Sequence, residues 1–290
     1  MTHSFIGLAS ALTGAPLLPD SQSCLLVLAL LSAGAVAGIM AGLFGIGGGT
    51  VIVPVLYETF GWFSIADDIR MPLCIGTSLA VIVPTSVFSA QAHWKRGCVD
   101  TKVLKAWSLP VIVGALAGSF AAHFAADAVF KATFIFVALL TALRLLLSDR
   151  LVGFNSDLPS GPPMVGYGVT IGASSALIGI GGGLVANMVM ALHGRKIHQA
   201  VATSSAIGVL VSLPGTLGYV VAGWGNVELP PYSLGFVSVV GFMVLMPTCL
   251  VMAKVGAGLA HKLSKAGLES AFAVYLVLVS LRFSWSMLVA

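Results

Sequence analysis

The chain has 290 residues, of which 58% are hydrophobic and only 8% charged, with a mean hydropathy of +1.04. Soluble domains carry about 25% charged residues, so a folded surface of this composition could not be kept wet. A bilayer crossing takes roughly 20 apolar residues, so the length admits an all-α polytopic membrane protein with about eight to ten membrane segments. The net charge of +4 comes from Lys and Arg scattered through loops, with no run that could track a phosphate backbone, and no nucleic-acid partner is implied.

Residues 1–23 lack a basic leader and read as an N-terminal lead-in rather than a cleaved signal peptide. A long apolar stretch then runs from Cys24 to Leu56, interrupted by glycines at 45 and 47–49. Three ordinary spans are predicted at 71–92, 106–124 and 129–147, which close a first repeat over 24–147. A polar linker with Pro and Gly occupies 148–163. The pattern then recurs over 164–290: an apolar stretch at 164–192 with glycines at 179 and 181–183, then spans near 198–222, 232–253 and 268–288.

The recurrence is visible in the letters. Residues 43–51 read LFGIGGGTV and residues 177–185 read LIGIGGGLV. Gly76-Thr77-Ser78 matches Ala202-Thr203-Ser204, and Gly97-Cys98-Val99-Asp100 matches Gly225-Asn226-Val227-Glu228. Three matches in the same order, at offsets of 134, 126 and 128, mark a tandem duplication.

Lys and Arg stay on the cytoplasmic side of a membrane protein, so the loop charges give orientation. Loop 93–105 carries Lys95, Arg96, Lys102 and Lys105, whereas its counterpart at 223–231 has Glu228 and no basic residue. Loop 254–268 carries Lys254, Lys262 and Lys265, against Lys131 alone at 123–131. The turn after the second glycine cluster holds Arg195 and Lys196, while 57–70 has Glu58, Asp67 and Asp68 against Arg70. The basic member changes sides each time, which makes the repeats inverted. Three spans per half give that result only if each glycine segment starts and ends on one side. A helix over 24–57 would be roughly 50 Å long at 1.5 Å per residue, too long for one crossing and short for two. Each glycine segment therefore reads as a broken helical hairpin, re-entrant or spanning.

A helix broken in mid-membrane must point its freed backbone groups at protein or a polar cavity. Inverted-repeat transporters aim such helix N-termini at anionic substrates. Gly47, Gly48, Gly49 and Thr50, with Gly181, Gly182 and Gly183, are the candidate substrate-binding backbone. Close helix packing is the plainer use of the same glycines. Thr77, Ser78, Thr203 and Ser204, read as the start of the next span in each half, offer hydroxyls to an anion or to their own helix carbonyls. Asn187 stands one turn into the second short helix, where the first copy has Val53. Arg282, in the last span, is either a snorkelling anchor or a cation for the anion, and Arg144 reads as a snorkelling helix-end residue. Gln91, His93, His198 and Gln199 read as interfacial anchors. No Asp or Glu falls in the middle of a predicted span, and no metal cluster, cofactor motif or catalytic triad is present in the sequence. Cys24, Cys74, Cys98 and Cys249 form no CxxC pair and read as small structural thiols.

The duplicated AGLFGIGGGTVIVPVL (41–56) and ALIGIGGGLV (176–185), the GTS and ATS triplets and the loop charges resemble the sulfite exporter TauE/SafE family of membrane permeases, over residues 24 to 285. The resemblance implies a multi-pass inner-membrane transporter of small, often sulfur-containing anions such as sulfite, sulfoacetate, other organosulfonates or carboxylates. Leu184, where the first copy has Thr50, departs from the symmetry. An anion channel or a non-transporting scaffold is the alternative, and a homodimer is one assembly the sequence allows. A channel needs charged rings along a pore, which so few charges do not supply.

Overall fold

In the computed structural model, the described residues are 20–44, 48–62, 65–122, 124–146, 158–159, 161–195, 197–259 and 265–289. Gly47, the lead-in up to residue 19 and most of the 148–163 linker lie outside them. The described chain is all helical apart from turns and one isolated bridge: α1 Asp20–Phe44, α2 Gly49–Trp62, α3 Asp67–Lys95, α4 Thr101–Ala122, α5 Asp127–Leu146, α6 Pro162–Ile178, α7 Gly183–Leu192, α8 Ile197–Ala222, α9 Val239–Leu259 and α10 Lys265–Val289. Six of these, α3, α4, α5, α8, α9 and α10, are long and apolar enough to cross a membrane. At 14 and 10 residues, α2 and α7 are about 21 and 15 Å long and cannot cross alone.

The helices are apolar on all sides, as expected where one face meets protein and the other lipid. Two-thirds of the apolar window of α3 is buried, against about a third in most other spans, so α3 is the central helix. It packs along α8; α4 packs along α6, α9 along α1, and α5 along α10. Each pairing maps onto itself or another when the first five helices are exchanged with the last five. Glycine sets the closest approaches. A Cβ at Gly114 or Gly172 would overlap a backbone carbonyl across the α4–α6 contact, and one at Gly38 or Gly256 would do so across α1–α9. Pro162 at the first turn of α6 has the φ that a helix start requires.

Three boundaries differ from the sequence reading. Helix α3 begins at Asp67, so Thr77 and Ser78 lie well inside it rather than at its start. Residues 232–238 are a packed turn, with Tyr232 at φ 60° and Ser233 bridged to Ser238, and α9 starts only at Val239. Lys131, taken as a loop charge, is buried with 3% exposure and paired with Asp127 one turn earlier.

Candidate functional site: two glycine turns at the centre

Both short helices begin the same way. Gly48 has φ 77° and Gly182 φ 78°, the left-handed region that glycine occupies without Cβ strain. The Gly48 carbonyl accepts the N–H groups of Val51 and Ile52, and the Gly182 carbonyl accepts that of Ala186. A glycine has no side chain to cap a helix, and α7 has no side-chain cap. The N–H groups that precede the first intrahelical bond of such a helix need partners from outside it.

The two breaks touch. A Cβ on Gly49 would overlap the Gly179 carbonyl and come within 2.8 Å of the Ile180 Cα. The first residue of α2 therefore rests on the turn that precedes α7. Residues 48–54 and 178–187 are all buried, so this junction is occluded. Ser78 donates to the Gly179 carbonyl at 2.8 Å, while the N–H groups of Gly179 and Ile180 turn back to the Ser175 carbonyl.

Four buried polar atoms without hydrogen-bond partners lie on the helices that meet here, α2, α6, α7 and α8. Thr50 is fully buried in the first turn of α2, and its Oγ1 has no hydrogen-bond partner. Asn187 is 9% exposed, and its Oδ1 likewise has none. The buried hydroxyls of Ser175 and Ser212 are also unpaired. Ser175 supplies the carbonyl that holds the second turn, and Ser212 follows Val211, whose Cγ2 would meet a Cβ on Gly182 at 2.7 Å. Buried polar groups without partners are uncommon in folded proteins and call for an occupant or a reason. Ser175 and Ser212 were not singled out in the sequence, where a serine in an apolar helix reads as bonded to its own carbonyls.

The other expected contacts are elsewhere. Thr77 donates to the Leu73 carbonyl at 2.7 Å and accepts the Ser238 N–H at 2.9 Å. Thr203 accepts the Asp100 N–H at 2.9 Å, and Ser204 donates to Val201 of its own helix at 3.0 Å. Arg282 pairs with Glu58 at 3.0 Å, with 52% and 38% of the side chains exposed. Glu58 is nine residues past Gly49, roughly 13 Å along α2 from the junction. Gln199 reaches Asp100 at 3.4 Å, and the side chain of His198 lies outside the described residues. Among the described residues, no group of three His, Cys, Asp or Glu stands where it could hold a metal.

The match to a family model described as "Sulfite exporter TauE/SafE" covers residues 30–283. The chain belongs to this family. It is a multi-pass membrane transporter and not an enzyme. It is 33% identical over 261 residues to a "Probable membrane transporter protein" of Haemophilus influenzae, covering 88% of this chain and 97% of that one. It is 28% identical over 246 residues to the "Probable membrane transporter protein MJ0441" of Methanocaldococcus jannaschii, covering 84% and 90%. A third relative, the "Probable membrane transporter protein YunE" of Bacillus subtilis, is 29% identical over 218 residues, covering 68% of this chain and 79% of its own. No solved structure matches the chain.

Proposed function

We propose that this family member is a permease for a small anion, sulfite or an organosulfonate such as sulfoacetate, working by alternating access between two inverted repeats. The observation that carries the reading is the contact of the start of α2 with the turn that leads into α7, two helices that carry the unpaired Thr50 Oγ1 and Asn187 Oδ1 in a buried interior. Each helix start carries about half a positive charge, so two of them offset much of one anionic charge. The hydroxyls of Thr50, Ser175 and Ser212 are spare donors for oxyanion oxygens, which want several directed hydrogen bonds. The carbonyl of Asn187 accepts only, so it would face a hydroxyl, a protonated oxygen or the reoriented amide. An occluded site between two halves suits a carrier better than an open channel. The loop charges support a cytoplasmic position for loop 93–105.

Flux into proteoliposomes of sulfite, sulfoacetate, acetate and chloride tests the reading. Sulfite or a sulfonate carried in preference to chloride, and saturably, is the expected result. Thr50→Val should raise the half-saturation concentration while leaving stability unchanged or improved, because it removes a buried hydroxyl that has no partner. Uptake of a cation with anions ignored would overturn the assignment.

A further inference from the structure

Arg195 stands three residues past the end of α7, a helix about 15 Å long that has the glycine turn at its other end. Its place is fixed by a tight C-terminal turn: the Gly194 N–H bonds to the Ala191 carbonyl at 3.2 Å and the Arg195 N–H to that of Met190 at 3.1 Å. The guanidinium is incompletely satisfied. Its Nε is buried and donates to nothing, and Nη1 stands 3.8 Å from Asp100 Oδ2, beyond hydrogen-bond reach. Among the described residues it is the only cationic side chain with a buried donor that lacks an acceptor. The cations at the opposite end of the molecule are satisfied: Arg282 by Glu58, Arg70 by Asp67 and the Ile65 carbonyl, and Lys131 by Asp127.

Asp100 is in turn committed to other work. Its Oδ1 accepts the N–H groups of Lys102 and Val103 at the start of α4, its own N–H is held by Thr203, and Gln199 approaches Oδ2 at 3.4 Å. It neutralises Arg195 from a distance without filling its hydrogen-bonding fork. From this level, hydroxyls lead inward. Ser89 and Ser205 are bonded to each other at 3.1 Å, and deeper in the bundle the Ser86 Oγ lies against Gly208, which also faces the Gly181 carbonyl.

The geometry points to Arg195 as a second anion site, an entry station on the loop 93–105 face that takes one oxyanion edge of a sulfite, sulfonate or carboxylate before it passes to the glycine turns. The station rests on the permease reading above. Arginine suits it because Nε and Nη present two parallel donors to two oxygens of one anion. The positive charge of this face, carried also by the exposed Lys95, Arg96, Lys102 and Lys105, raises the local concentration of anions. Asp100 competes with the substrate for the same guanidinium, which keeps the station weak enough to release its anion inward.

The test is uptake of radiolabelled sulfite by inside-out and right-side-out membrane vesicles. Arg195→Gln should raise the half-saturation concentration about tenfold to a hundredfold from the face that carries Arg195, the size of one lost charge-assisted contact. From the other face it should leave that constant unchanged. Arg195→Lys should fall between, since it keeps the charge and loses the fork. Asp100→Asn keeps the helix cap, because Asn caps as well as Asp, and removes only the competing charge. It should lower the half-saturation concentration from the same face. If Arg195 and Asp100 instead form a structural latch, both substitutions will act in the same direction or on both faces alike, and the station is refuted. Should Arg195→Gln not reach the membrane, the sign of the Asp100→Asn effect decides alone. Unchanged kinetics in Arg195→Gln with normal wild-type flux removes this station only. A wild type that carries no sulfite from either face removes the permease reading instead.

Discussion

The hydroxyl of Thr77, in the middle of α3, accepts the backbone N–H of Ser238 at 2.9 Å, and Ser238 is the residue just before α9. The same relationship recurs with the halves exchanged. Thr203 in α8 accepts the N–H of Asp100 at 2.9 Å, and Asp100 is the residue just before α4. Both cap residues then use a side-chain oxygen on the helix they open: Asp100 on Lys102 and Val103, Ser238 on Gly241. Each half thus fixes the start of a spanning helix in the other. Ser238, not the exposed Glu228 matched by sequence, plays the part of Asp100, because the second half has a longer loop before its cap.

These two threonines should therefore be structural. Thr77→Val and Thr203→Val each strand a buried N–H, at about 1–3 kcal/mol, and Thr→Ser at either position should restore most of the loss. Thermal unfolding of the detergent-purified protein, followed by size-exclusion chromatography, measures both. A Val variant with unchanged melting but a raised half-saturation concentration would make that threonine a substrate ligand.

The glycines separate by what surrounds them. Gly97, at φ 67°, has nothing within 4 Å of a Cβ, so Gly97→Ala should cost only the left-handed backbone penalty of about 1–2 kcal/mol and leave transport intact. Gly182→Val meets the Val211 side chain at 2.7 Å as well as φ 78°, and should abolish most flux while the protein still inserts. Gly49→Ala should do the same by separating the two turns. Normal flux in both Gly182→Val and Gly49→Ala would reduce the clusters to packing devices.

Much of this was legible in the letters. Composition fixes the membrane class, and the two glycine clusters locate both helix breaks, because Gly48, Gly179, Gly181 and Gly182 adopt the left-handed backbone that glycine enters without Cβ strain. The partners of Gly76-Thr77-Ser78 were not legible. They are the Phe236 carbonyl, the Ser238 N–H and the Gly179 carbonyl, each more than a hundred residues away. Local periodicity carries no trace of such contacts. Residues 232–238 misled for a different reason. Hydropathy records that Tyr232, Leu234, Phe236 and Val237 are apolar, but not that they belong to a turn folded back on α8, where Phe236 donates its N–H to the Tyr219 carbonyl. The Pro230-Pro231 pair just before them was the available signal.

Arg282 offers a sharp contrast with Arg195. An exposed pair such as Arg282–Glu58 contributes about 0–1 kcal/mol. Arg282→Gln should then lower stability slightly and leave the ratio of monovalent to divalent anion flux unchanged. A selective loss of divalent transport, measured as competition between sulfite and acetate at a pH where sulfite is a dianion, would bring Arg282 back to the site.

The orientation can be read directly with single cysteines in a background lacking Cys24, Cys74, Cys98 and Cys249. Val227, 95% exposed in the loop between α8 and α9, and the exposed Lys102, at the start of α4, lie on opposite faces if the basic loops mark the cytoplasm. An impermeant thiol reagent applied to intact cells should label Val227→Cys and spare Lys102→Cys until the membrane is opened. The assay is independent of transport, because neither side chain faces the glycine turns. It also fixes which vesicle preparation presents Arg195, since Asp100 holds that residue and the start of α4 at one face. Labelling of Lys102→Cys from outside would reverse the orientation. Labelling of both from outside would break the inverted arrangement itself, because α8 could not then run from the Asp100 face to the opposite one.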